Sequence, residues 1–254
     1  MLLLADGGLV KTLRFARPRY IGDPINAVRI LNDKRVDELV LLDIQATARR
    51  RIDLTHVEEI VSEAFMPVAY GGGITTVGQC ADLFRCGVEK VVLNTAAVER
   101  PELVRELASR FGSQAVVVSI DVGYDWRGQA RAYIRGGKTK SRFTPAELAR
   151  RVEELGAGEI LLTSMRREGT YEGYDWDLLV SVSSAVRVPV VAHGGASSVA
   201  DFARAITESG CSAAAAGSLF VFSAKSGGVL ITYPSEVDLQ RQLWTRAAAP
   251  AGRT

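Results

Sequence analysis

Asp121 ends the apolar run Val118-Ser-Ile-Asp121. A carboxylate at the end of a buried strand is partly shielded from water, which raises its pKa toward the range where it can give and take protons. The competing reading is a carboxylate that caps the loop after the strand. Around it lie two sets of glycines and small polar residues: Gly72, Gly73, Asn94 and Thr95, then Gly194, Gly195, Gly217 and Ser218. Gly169 and Thr170 could add backbone donors to the second set. Glycine lets a backbone approach a ligand closely and aim its N–H groups at an anion. Each set therefore reads as a phosphate site, although plain tight turns use glycine too.

The two sets are related by an internal repeat. Pro67-Val-Ala-Tyr-Gly-Gly-Gly73 matches Pro189-Val-Val-Ala-His-Gly-Gly195, Glu38-Leu-Val-Leu-Leu-Asp43 matches Glu159-Ile-Leu-Leu-Thr-Ser164, and Gly87–Ala96 matches Gly210–Leu219. Three pairs in one order at nearly one offset imply a duplicated half-domain. The repeat also shows what Asp121 lacks, because its counterpart falls near Leu3. A symmetric acid–base pair would need a second carboxylate there.

Glu38, Lys90 and Glu159 each begin an apolar strand. If all three point inward they form a charged ring at the strand starts, and buried charges are costly unless paired. A salt-bridge cluster on the surface is the other possibility.

The elements that must position these residues alternate regularly. Strands are expected near Leu2–Leu4, Glu38–Ile44, Val68–Tyr70, Lys90–Leu93, Ala115–Ile120, Ile160–Thr163, Val188–Ala192 and Ala213–Ala216. Helical patterns lie between them, such as Leu54–Ala64, Val77–Arg85, Glu102–Phe111, Pro145–Leu155, Asp177–Ala185 and Val199–Ser209. Continuous apolar strands joined by helices indicate a parallel sheet. Eight such units predict an α/β (β/α)8 TIM barrel spanning 1–254 as a single domain, with half-barrels at about 1–114 and 115–240. An open doubly wound sheet is the rival. Two excursions stand out: a small hairpin within Tyr124–Gly137, and a long loop from Leu9 to Pro24 that carries Lys11, Arg14, Arg17 and Arg19. The loop reads either as a lid or as a solvated basic segment.

Bulk properties narrow the function. The chain has 254 residues, of which 47% are hydrophobic, and a net charge of +2, too small to argue for nucleic acid. No apolar run approaches the ~18 residues of a membrane helix. Cys80, Cys86 and Cys211 lack metal-ligand spacing and read as buried thiols in a reducing cytoplasm. Two histidines, His56 and His193, are too few for a common zinc site. Neither metal nor cofactor is expected.

Long strings in the chain resemble the cyclase subunit of imidazole glycerol phosphate synthase, the synthase half of a glutamine amidotransferase. They include Ala69-Tyr-Gly-Gly-Gly-Ile74, Lys90-Val-Val-Leu-Asn-Thr-Ala-Ala97, Arg110-Phe-Gly-Ser-Gln114, Gly156-Ala-Gly-Glu-Ile-Leu-Leu-Thr-Ser-Met165 and Gly173-Tyr-Asp175. The resemblance runs from about Asp6 to Phe222. It implies a heterodimer with a glutaminase docked at the strand-start face, and ammonia passing through the barrel. The ammonia would meet a bis-phosphorylated ribulosyl substrate at the top. It also implies that Glu38, Lys90 and Glu159 form the ammonia gate, and that Asp121 is one of two catalytic aspartates. Lys11, Thr163 and Glu168 join the two glycine sets as substrate-binding residues.

The chain departs from the family around the same rim. The family's first catalytic aspartate is Leu3, the aspartate before Gly169 is Glu168, an earlier aspartate is Arg166, and a small residue before Gly194 is His193. His193 is a candidate second proton carrier, since imidazole titrates near neutrality. Asp6-Gly-Gly-Leu-Val-Lys-Thr12 and Tyr20-Ile-Gly-Asp-Pro-Ile-Asn26 look like a diverged branch associated with amidino-modified surface sugars. The rival expectations are an ordinary histidine-pathway cyclase and a silent barrel that only activates a glutaminase.

Overall fold

The computed structural model describes residues 1–223 and 227–244. The end of the expected domain, 245–254, lies outside them. Eight parallel strands form the central sheet: β1 Leu2–Ala5, β2 Leu39–Asp43, β3 Val68–Gly71, β4 Lys90–Leu93, β5 Val116–Tyr124, β6 Glu159–Ser164, β7 Val190–His193 and β8 Ala213–Ala214. They are hydrogen-bonded in that order from β1 to β8. The Met1 ammonium donates to the Ala216 carbonyl at 2.8 Å, which joins the last strand to the first. The result is a (β/α)8 barrel.

Strict alternation along the strands divides the apolar residues between two cores. Leu39 and Leu41, Val68 and Tyr70, Val91 and Leu93, and Val116, Val118 and Ile120 face outward and pack under the helices. Ala69, Val92, Val117 and Leu161 face inward, with Val40, Leu42 and Val191 packed against them, and fill the barrel.

The helices begin where local chemistry dictates. Thr76 and Gln79 form a reciprocal cap on helix Val77–Arg85, and Thr144 and Glu147 do the same for Pro145–Glu154. Each satisfies amide donors that the first turn leaves free. Asp23 caps Pro24–Asp33, whose first residue is a proline with no N–H to lose.

The excursion after β1 differs from the expected loop. Gly8–Leu13 and Ala16–Gly22 form an antiparallel ribbon, and its inner strand pairs with β1. The turn runs through Arg14 and Phe15 at φ 52° and 61°, a left-handed conformation their side chains do not advertise. The excursion after β5 is the expected hairpin, formed with Ala130–Ile134. It prolongs β5 to Tyr124, so Asp121 lies within the strand rather than at its end.

Candidate functional site

Strand registers fix which side chains share a level inside the barrel. Leu3 pairs through Leu42 with Gly71, Gly71 through Val92 with Val117, and Asp121 through Thr163 with His193. Strand tilt in an eight-stranded barrel of shear eight raises the residue at equal height by about two positions on each alternate strand. The rule groups Glu38, Lys90 and Glu159, and the structure confirms that grouping independently: Lys90 Nζ donates to Glu38 Oε2 at 2.8 Å and to Glu159 Oε2 at 3.1 Å. Applied at the other end, it puts Leu3, Gly73, Asp121 and Gly195 in one layer. Just below lie Leu42, Asn94, Thr163 and Gly217.

The interior is therefore tiered. A half-buried charged cluster closes the strand starts, apolar residues fill the middle, and polar groups gather at the strand ends. Burial raises the Glu159 pKa, opposed by the Lys90 charge. The three residues meet one another rather than scattering over the surface.

Asp121 is buried, and desolvation pushes its carboxyl up to about 6, against a lowering hydrogen bond from Ser119. Ser119 Oγ donates to Oδ1 at 3.0 Å and Asn94 Nδ2 reaches Oδ2 at 3.3 Å. Asn94 also donates to the carbonyls of Ser119 and Tyr133 at 3.1 Å, so its amide is fixed by backbone. A carboxyl poised near neutrality, with its donors locked in place, is suited to both proton donation and acceptance. Leu3 packs instead with Ala5 and Val10. The pocket is polar on the side of β4 to β6 and apolar on the side of β1 and β2.

The second glycine set is gathered as expected in position. Lys11, Glu168, Gly169, His193, Gly194, Gly195, Gly217 and Ser218 line one cleft at the ends of β6 to β8. Lys11 and Glu168 form a buried ion pair across it. Burial lowers the Lys11 pKa to about 8. The other Glu168 oxygen accepts from Thr12 Oγ1 at 3.0 Å and from the Phe15 amide at 3.4 Å. Tyr171, which the sequence did not single out, donates from its hydroxyl to the Ser218 carbonyl at 2.9 Å.

The first set lies at the matching ends of β3 and β4. The Gly73 amide donates to Thr47 Oγ1 at 3.3 Å, and Thr95 Oγ1 accepts from the Arg135 amide at 3.0 Å. Both rim pairs repeat the same backbone, with φ 121° and 70° at Gly72 and Gly73 and 91° and 110° at Gly194 and Gly195. Close packing already demands glycine at these positions. A Cβ on Gly72 would sit 2.3 Å from the Asp43 carbonyl oxygen, and one on Gly195 would sit 2.2 Å from that of Gly173. Loop packing thus explains these glycines as well as a ligand does.

Beside the cleft, Asp175 is buried and held by Tyr124, Ser164 and Arg166. Arg166 stacks 3.8 Å over the Tyr124 ring. Sequence spacing gave no sign of this cluster, because its members come from three separate segments.

Among the described residues, no group of three or more His, Cys, Asp or Glu side chains is placed to hold a metal ion. No helix there is long and apolar enough to cross a membrane.

Comparison with known proteins agrees with this architecture. The family described as histidine biosynthesis protein matches residues 2–225. A Pseudomonas aeruginosa protein named "Putative imidazole glycerol phosphate synthase subunit hisF2" is 47% identical over 92% of this chain and 93% of its own. A Vibrio vulnificus protein whose name ends in "hisF3" is 41% identical over 96% and 94%. "Imidazole glycerol phosphate synthase subunit HisF" of Alkaliphilus metalliredigens is 44% identical over 85% and 86%.

Proposed function

Since the chain belongs to the histidine biosynthesis protein family and is of the imidazole glycerol phosphate synthase HisF type, we propose that it is the ammonia-using synthase subunit of a glutamine amidotransferase. The observation that carries this reading is the tiered interior. The cluster of Glu38, Lys90 and Glu159 can part to admit a small neutral molecule. The apolar layer above it, built on Ala69, Val92, Val117 and Leu161, favours neutral ammonia over ammonium, because an unpaired charge there is costly. At the top, Asp121 meets the ammonia.

The acceptor is a phosphorylated small molecule. Lys11, Gly169, Gly194, Gly195, Gly217 and Ser218 hold one phosphate, with Thr163 and Glu168 fixing the groups around it. Gly72, Gly73, Asn94 and Thr95 hold a second. A glutaminase docks at the strand-start face to form a heterodimer. The working unit is one barrel domain of two halves, about 1–114 and 115–240, in the reducing cytoplasm that the free cysteines suit.

Leu3 favours a diverged paralogue over the histidine-pathway enzyme. Losing one member of an acid–base pair costs about 10²–10⁴ in rate. The numbered names of two relatives fit a family that keeps additional copies. We place this copy in amidino-sugar synthesis for surface polysaccharide. The second reading, a working histidine-pathway cyclase, is supported by Asp121, whose pKa suits acid–base work, and by 44% identity to a protein named simply HisF. Complementation of a histidine auxotroph that lacks its cyclase separates them: growth would favour the second reading, and no growth with soluble, glutaminase-bound protein would favour the first.

A further inference from the structure

Asp121, Thr163 and His193 are register partners on three adjacent strands, a straight row across the interior. Neighbouring strands lie about 4.8 Å apart, so the Cα atoms of Asp121 and His193 are roughly 10 Å apart. Thr163 stands on the strand between them, and by register all three side chains face the interior. His193 is buried and its Nδ1 lies 3.2 Å from Thr163 Oγ1. No buried side-chain polar atom among the described residues lacks a partner, and the ring's hydrogen bond is made through Nδ1. With Nδ1 engaged, Nε2 is the ring nitrogen left for the cleft, which His193 lines with Lys11, Gly195 and Gly217. Gly195, two residues on and one layer higher, has no side chain to cover it.

We propose that His193 is the second acid–base group of this barrel, acting two strands along from Asp121 and from just below it, and taking over the proton transfers that a carboxylate at Leu3 would make. The proposal rests on the synthase role argued above. Thr163 holds the imidazole by accepting from Nδ1–H, which leaves a lone pair on Nε2. Ammonia attacks a carbonyl carbon of the phosphorylated substrate, and the C–N bond forms as the C=O π bond opens. The nitrogen sheds a proton to His193 Nε2, while the oxygen takes one from the protonated Asp121 carboxyl. Loss of water then reverses both transfers: His193 protonates the departing hydroxyl, the nitrogen returns a proton to Asp121, and an imine and water remain. Both groups finish as they began. Burial, the Lys11 charge and the chain's amino group hold the His193 pKa well below the usual imidazole value, so the ring starts neutral and the proton it takes is readily passed on to the departing hydroxyl.

The chain has only two histidines, so side-chain ¹⁵N spectra of the whole protein, assigned with His56→Gln, report the His193 tautomer directly. The Nδ1–H form is expected; the Nε2–H form overturns the proposal. The second arm uses ammonium chloride and the bis-phosphorylated ribulosyl substrate as probe, with calorimetry to confirm that it binds. His193→Gln should lower kcat at least tenfold with KM nearly unchanged, and should change kcat less than threefold when Leu3→Asp supplies a carboxylate. Wild-type turnover that does not exceed that of His193→Gln overturns the role of His193. Failure of the probe to bind at all would instead sink the histidine-pathway reading, and the tautomer then decides the proposal alone. His193→Asn, tested for folding alongside, guards against a purely structural loss.

Discussion

Leu3 and Asp121 occupy the same interior layer on opposite strands of the barrel, with Gly73 and Gly195 completing the level. The two halves thus place equivalent backbone around one pocket but give it unlike walls. Glycines at equivalent rim positions can serve two ends of a substrate, whereas of the two equivalent strand positions only Asp121 carries a carboxylate.

Asp121 makes that asymmetry measurable as stability. Its pKa is about 6 in the fold, against about 3.9 in an unfolded chain. The folded protein therefore holds the proton more tightly, and the stability this provides is present below about pH 4 and lost as pH rises through 6. About two pKa units correspond to ~3 kcal/mol. Asp121→Asn should remove the slope between pH 4 and 6 and leave the protein about 1–3 kcal/mol more stable at pH 8. Urea unfolding at a series of pH values checks this; an unchanged slope would mean that another group carries it. Turnover should fall at least 100-fold in the same variant.

Lys90 links two acids that would otherwise face each other at the strand starts. Lys90→Ala leaves both half-exposed to water, so the barrel should still fold, with a loss of about 1–2 kcal/mol. Coupling should suffer more than stability. With the glutaminase bound, glutamine hydrolysis should continue while ammonia delivered to the synthase falls several-fold. Supplying ammonium chloride directly should restore turnover. If the purified partners do not associate in size-exclusion chromatography or calorimetry, the gate loses its purpose.

The proposed phosphate sites call for substitutions that respect the packing found here. Gly195→Val would drive a Cβ into the Gly173 carbonyl and force a side chain to φ 110°, so it should destabilise the loop by several kcal/mol whether or not phosphate binds. Thr95→Ala removes only a side-chain hydroxyl. If backbone N–H groups dominate, it should weaken phosphate binding less than about tenfold while leaving the fold intact. Titration with inorganic phosphate gives the affinities, and a phosphate-soaked crystal with both rim sites empty would count against this reading.

Much of this was legible in the sequence for physical reasons. Lys90–Leu93, Val77–Arg85 and Glu102–Phe111 stand at the residues expected, because continuous apolar runs and 3.6-residue periodicity coincide there with clear caps or breaks. The repeat revealed the paired rims. The ribbon at Gly8–Gly22 was hidden because its turn uses Arg14 and Phe15 rather than glycine or asparagine, and exposed arginines obscure the alternation of its outer strand. Glu168 lines the cleft as a substrate-binding residue would, and its pairing with Lys11 and Thr12 had no signal in the sequence. Ser119 went unnoticed beside Asp121, although alternation puts residues two apart on one face. Pairings made across the barrel depend on register, which no local pattern carries.

Leu3 provides the sharpest test of whether this barrel has left histidine synthesis. Closing an imidazole ring requires proton transfers on both sides of the substrate, and Leu3 offers none. Wild-type protein supplied with ammonium chloride should convert the histidine-pathway substrate at least about 100-fold more slowly than the Leu3→Asp variant, if the pocket still accepts that substrate. The new carboxylate would enter a cluster with Ala5 and Val10, so the variant should also lose about 2–4 kcal/mol. Adding Asp121→Asn to Leu3→Asp should abolish the gain, because Asp121 is needed whichever group acts with it. Turnover is read by product absorbance and chromatography, with urea midpoints showing that each variant is folded at the assay temperature. Wild-type turnover equal to that of Leu3→Asp would falsify the claim that this barrel has left histidine synthesis through the loss at strand one.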